Sequence, residues 1–266
     1  MKRYTTAYYL LFVLIVMGAF ASMAQNDYGM AILGFAAASF SVIFLVQLIL
    51  LVLKKQSGTN LEVIEVACLF ILTAIMAMRV FYIRFAFVEY VFAITGFILV
   101  VTYIQKMFAV HAKVKSDNKN LSILVLIFYG SVVLYLASMI IVPFLPAISE
   151  RVGIAAFVLM ILSAVGNVVI GSIIINSEKT TAFQFALRLR DRSMVLLTLF
   201  LLFTCYMAFT KVDLVPKLYS DEFPQSYYGL VNQAETGRET PVDGKFKHEL
   251  FKENYERFLK HNPVSE

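Results

Sequence analysis

Met30-AILGFAAASFSVIFLVQLILLV-Leu53, closed by Lys54-Lys55, decides the fold. Nothing in it is charged, and at ~1.5 Å of rise per residue a helix over this stretch is about 36 Å long, more than a ~30 Å hydrocarbon layer. Lipid offers no partner to a backbone N–H or C=O, so such a run must satisfy its hydrogen bonds within itself, as a helix does. The period-two alternation of a membrane barrel strand is absent from it.

Six further runs of the same character surround it. The apolar segments read as 6–24, 30–53, 63–83, 85–104, 121–144, 153–175 and 194–210. Composition agrees: 60% of the 266 residues are hydrophobic and 15% are charged, and the mean hydropathy is +0.77. The expected fold class is therefore an all-α, polytopic membrane helix bundle over 1–210, followed by a polar tail over 211–266. Connections between crossings are too short for an inserted soluble domain.

Charge placement orients the bundle. With the amino terminus inside, Lys2, Arg3, Lys54, Lys55, Lys106, Lys113, Lys115, Lys119, Lys179, Arg188, Arg190 and Arg192 collect on the cytoplasmic side, against Arg79, Arg84 and Arg151 outside. Seven crossings then export the tail, which carries ten acidic and eight basic residues. The expected location is the plasma (inner) membrane, with the amino terminus cytoplasmic and the carboxy terminus periplasmic or extracellular. The overall charge of +5 reflects this topology and not nucleic-acid binding. Lys2-Arg3, an apolar stretch and Ser22-Met23-Ala24 also fit a cleavable signal peptide over 1–24, and cleavage would leave the downstream orientation unchanged.

Several features bear on function. Arg79 and Glu89 stand five residues either side of Arg84, the expected turn between the third and fourth crossings, so they are placed to meet as an ion pair about 7 Å inside the bilayer. Glu62 and Glu65 open the third helix three residues apart, where carboxylates complement the helix dipole. Ser163, Asn167 and Gly171 recur at steps of four in the sixth crossing, and Gly34 and Ala38 do so in the second. These small and polar stripes are expected packing faces, within this chain or against another. The stretch Asn176–Ser193 reads as the longest cytoplasmic loop, with Arg188, Arg190 and Arg192 set among Phe and Leu to meet anionic lipid or a cytoplasmic partner. In the tail, Asp243 to His261 reads as an amphipathic helix. Its apolar stripe of Phe246, Leu250, Phe251, Tyr255, Phe258 and Leu259 must lie on something, and a partner protein is the preferred occupant.

Chemistry-bearing motifs are missing. The membrane block has a single histidine, His111, too few for paired haem ligands, and the last crossing has no interior lysine for a retinal Schiff base. No metalloprotease, hydrolase-elbow or phosphate-loop motif is present, and Cys68 and Cys205 have neither CxxC spacing nor a nearby histidine. The expectation is a protein with no enzymatic activity, cofactor or metal. The polytopic block with an exported tail around Val242-Asp243-Gly244-Lys245-Phe246-Lys247-His248-Glu249 resembles the multi-pass inner-membrane subunit of the variant type VI secretion apparatus. That resemblance implies a membrane scaffold in an envelope-spanning assembly, and no functional residue is carried over from it. The reading is thus a scaffold or assembly subunit with envelope-protein partners, as a homo- or hetero-oligomer. The alternatives are an ion-coupled transporter using Glu89, Glu62 or Glu65, and a membrane sensor.

Overall fold

The computed structural model of the chain describes residues 5–24, 28–53, 59–81, 83, 87–115, 119–175, 181–211 and 215. All secondary structure among them is helical: α1 Thr5–Met23, α2 Tyr28–Val52, α3 Asn60–Val80, α4 Val88–Lys115, α5 Lys119–Ile141, α6 Pro146–Ile175 and α7 Thr181–Lys211. Each contains a window long and apolar enough to cross a membrane, so the chain is an integral membrane protein with seven such helices among its described residues. The stretch expected to form the tail helix, with its stripe of Phe246 to Leu259, lies outside the described residues, as do Arg84 and the surroundings of Gly171, Arg188 and Arg190.

Consecutive helices pack side by side as an up-and-down bundle, and α7 returns against α1 and α2. α7 is the enclosed member. In its Asp191–Lys211 window 61% of residues are buried, against 28% in the windows of α1, α2 and α6. Leu196, Leu199, Phe200 and Phe203 of α7 are closed off from the surface together with Phe40 and Phe44 of α2 and Phe128 of α5. Large apolar side chains on the periphery, among them Phe35 and Val42 of α2 and Ile154, Leu162 and Val165 of α6, face outward, as lipid contact requires.

Interior hydroxyls are mostly satisfied along their own helices. Thr73, Thr102, Thr198 and Thr204 donate to the carbonyl four residues back, and Ser131, Ser138 and Ser163 to the one three back, at 2.7–2.9 Å. In a medium without water this back-bonding leaves the hydroxyl no cost to bear. Close approaches occur where a Cβ is missing. A Cβ on Gly34 would stand 2.9 Å from Phe81 and 3.0 Å from Val80, at the end of α3. One on Gly29 would stand 2.3 Å from the backbone nitrogen of Ser22. α1 is further tied to α2 by a buried hydrogen bond of 2.7 Å from Gln47 Nε2 to the Tyr8 hydroxyl.

Three expectations from the sequence are corrected. The interval Asn176–Ser193 is not a loop throughout, because α7 begins at Thr181. Thr181 to Arg192 holds no Gly or Pro and several strong helix formers, so loss of hydropathy ends the membrane segment without ending the helix. For the same reason α4 continues to Lys115, past the expected limit at Ile104. Finally, α3 stops at Val80 and α4 starts at Val88, with Phe87 at φ 64° just before it. The connection is thus longer than the tight turn expected at Arg84, and Arg79 and Glu89 occupy the terminal turns of their helices.

Candidate functional site

One end of the bundle is defined by α3 at its start, α4 near its end and α7 in its first half. Thr59 precedes α3, and its backbone N–H donates to the Glu62 carboxylate at 3.3 Å. This fixes the first turn and sets Glu65 one turn further in, on the same side as Cys68, Leu69 and Leu72, which are all buried. Glu65 is 1% exposed. Its Oε2 accepts from Lys106 Nζ of α4 and from Arg192 Nη2 of α7. One carboxylate therefore joins three helices.

The level of this cluster follows from helical rise. Glu65 is about 22 Å from the Val80 end of α3, Lys106 about 27 Å from the Val88 end of α4, and Arg192 about 28 Å from the Lys211 end of α7. Lys106 and Arg192 stand nearly a full hydrocarbon thickness, and Glu65 about three-quarters of one, from the opposite end, where Lys211 of α7 meets Glu150 of α6 in an exposed pair. The charges sit at the edge of the apolar zone but inside protein, where an unpaired ion is costly and a paired one is tolerated.

Polar neighbours extend the cluster. Asn167 of α6, 1% exposed, donates to Ser193 Oγ of α7 at 3.0 Å, one residue from Arg192. Tyr103 lies one turn before Lys106 on α4; it is fully buried, and its ring is 6.0 Å from that of Tyr129 on α5. His111 Nδ1 and Ser122 Oγ, 2.7 Å apart, tie the end of α4 to the start of α5. Among the described residues, four buried polar atoms of this region have no hydrogen-bond partner: Glu65 Oε1, Tyr103 Oη, Asn167 Oδ1 and Arg192 Nε. Glu62 is within electrostatic range of Lys106, Arg192 and Tyr129.

No protein-family model, curated protein or solved structure matches the chain.

The residues singled out from sequence divide accordingly. Glu65 and Arg192 are brought together, and Glu62 stands one turn from Glu65. Arg79, 1% exposed, ends α3, and the half-buried Glu89 begins α4, at the opposite end of the bundle from the cluster. Gly34 packs on the end of α3, Ala38 is half-buried beside the core, and Ser163 and Asn167 are buried on α6. Lys106 was legible only as one more cytoplasmic cation. The signal for its role was local: in Tyr103-Ile104-Gln105-Lys106-Met107-Phe108 the charge is embedded in apolar and aromatic residues on both sides, as Glu65 is in Val63-Ile64-Glu65-Val66-Ala67. A charge so flanked belongs to a helix interior and requires a counter-charge. Among the described residues no group of three or more His, Cys, Asp or Glu is placed to hold a metal ion.

Proposed function

We propose that the chain is a non-enzymatic membrane scaffold, an assembly subunit of an envelope complex in which the helix bundle is a pedestal and the segment 211–266 docks a partner outside the cytoplasm. The observation that carries this reading is the way α7, the helix leading into that segment, is held. At one end Arg192 is bound by Glu65 of α3, and Ser193 by Asn167 of α6. Midway, the Tyr135 hydroxyl of α5 meets Thr204 Oγ1 at 2.8 Å, with the Tyr135 ring 4.8 Å from that of Phe200. At the other end Lys211 pairs with Glu150. A helix fixed by buried ionic and polar contacts at one end and midway, with an exposed ion pair at the other end, suits a rigid mount better than a moving gate.

The test is removal of Asp243 to Glu266. Co-purification of a specific envelope partner with the full chain, lost on truncation while the bundle still extracts as a folded species, is the expected result; partners unchanged by truncation would refute the docking role. A second reading, an ion-coupled carrier, is favoured by the enclosed Glu65 carboxylate, whose Oε1 has no hydrogen-bond partner. Reconstituted flux that disappears in Glu65→Gln, with the folded protein retained, would select it over the scaffold.

A further inference from the structure

The chain does not leave the bundle where α7 ends. Val215, four positions past Lys211, is 0% exposed and belongs to the same core as Leu33 and Ala37 of α2, Met76 and Val80 of α3 and Leu202 of α7. These residues and Val215 line one apolar crevice. By helical rise it reaches from the Lys211 end of the bundle to the level of Ala37 and Leu202, each about 13 Å from the end of its helix. α7 packs closely on α6 but only lightly on α2, and its link to α3 through Arg192 and Glu65 lies at the other end of the bundle. At the Lys211 end, the gap between α7 and the α2–α3 pair is therefore closed in part by a side chain from beyond the helix. Lys211 itself pairs with Glu150 of α6, so the two residues flanking this exit are held by different helices.

We propose that Val215 is a removable plug: seated, it seals the crevice between α2, α3 and α7, and withdrawn, it leaves an apolar seat for an aliphatic side chain open at this end of the bundle. A valine side chain has no polar group, so burial alone holds it in the seat. Full burial favours the seated form over the open one by roughly ten- to a hundredfold. That keeps the crevice shut, yet docking on the chain beyond can reverse it. Withdrawal needs no room inside the bundle, because the chain at Val215 already leads out of the last helix. On the scaffold reading, the segment that carries the plug is also the one that docks the partner, so engagement of the partner opens the seat; the closure itself is tested without any partner.

The test uses the full chain in detergent, with Cys68 and Cys205 replaced by Ala and a small cationic methanethiosulfonate as the probe. Met76→Cys reports the crevice, about 6 Å from the end of α3. Met139→Cys, about 3 Å from the end of α5, reports a buried position at the same end of the bundle but outside the crevice. With Val215 in place both should react slowly. Val215→Ser should speed modification of Met76→Cys by roughly tenfold or more while leaving Met139→Cys unchanged, and Val215→Ile, which keeps an apolar plug, should leave both slow. Should Val215→Ser fail to fold, Val215→Ala should give the same selective rise at a smaller size. Fast reaction of Met76→Cys with Val215 in place, no acceleration on its replacement, or equal acceleration at Met139→Cys would overturn the plug. Partners unchanged by removal of Asp243 to Glu266 would refute the scaffold and leave a selective rise at Met76→Cys standing.

Discussion

Replacing Glu65 by Gln removes one negative charge while leaving the shape nearly intact, and the structure sets how much that should cost. The carboxylate is 1% exposed, and the side chains of its two cationic partners are 7% and 16% exposed. Loss of one member of a buried ionic group costs about 3–5 kcal/mol, because the remaining charge is left desolvated and uncompensated. Partial exposure of Arg192 and the nearby Glu62 both soften the penalty, so about 3 kcal/mol is expected for Glu65→Gln. The same reasoning makes a second forecast with the opposite sign. Replacing all three groups by apolar side chains of similar size, Glu65→Leu/Lys106→Met/Arg192→Leu, should return the protein to within about 1 kcal/mol of its starting stability, since no buried charge is left unpaired. Equilibrium unfolding in mixed micelles measures both. A single substitution costing under about 1 kcal/mol, or a triple variant weaker than the single, would refute the reasoning and place the cluster in contact with water.

Other perturbations follow from specific contacts. Gly29→Ala should dislodge α1, since the new Cβ would meet the Ser22 backbone at 2.3 Å, and backbone yields less readily than a side chain; a loss of about 2 kcal/mol or more is expected in the same micelle assay. Asn167→Leu should cost about 0.6 kcal/mol, and no more than about 1.7 kcal/mol, by removing the interhelical bond to Ser193, the average and the maximum for such bonds in a membrane, and Asn167→Ala with Ser193→Ala should show non-additive losses. The mature protein should retain residues 1–24, because Tyr8, Leu11 and Ile15 are built into the core and Tyr8 bonds to Gln47; intact mass spectrometry short by that segment would contradict this.

What the sequence disclosed and what it withheld have distinct physical causes. The number and class of the helices were legible because hydropathy over about twenty residues is a direct measure of transfer to lipid. Helix ends were less so. α7 starts at Thr181 and α4 runs to Lys115 since polar residues such as Arg188 and Lys113 propagate a helix as well as apolar ones do. The packing roles of Gly34 and Asn167 were readable from residue size and polarity, though the identity of each neighbour required the fold. Glu65 was visible as a carboxylate, but its partners are separated from it by 41 and 127 positions. No local pattern states that Lys106 and Arg192 point inward to one oxygen; that depends on how α4 and α7 rotate about their axes. Lys106 set between Tyr103 and Phe108, like Glu65 set among Val63, Ile64, Val66 and Ala67, was the sequence clue, and reading cations only as markers of orientation passes over it.

The central claim is a bundle crossed seven times with its lysine-rich end in the cytoplasm, and cysteine accessibility tests it most directly. In a background with Cys68 and Cys205, the two free cysteines, replaced by Ala, single cysteines are introduced at Ile148→Cys, at the start of α6, and Lys115→Cys, at the end of α4, both exposed positions. A third, Glu266→Cys, reports the carboxy terminus. A membrane-impermeant maleimide should label Ile148→Cys and Glu266→Cys in intact cells and Lys115→Cys only after lysis. Labelling of Lys115→Cys in intact cells, or protection of Glu266→Cys while Ile148→Cys reacts, would contradict the account.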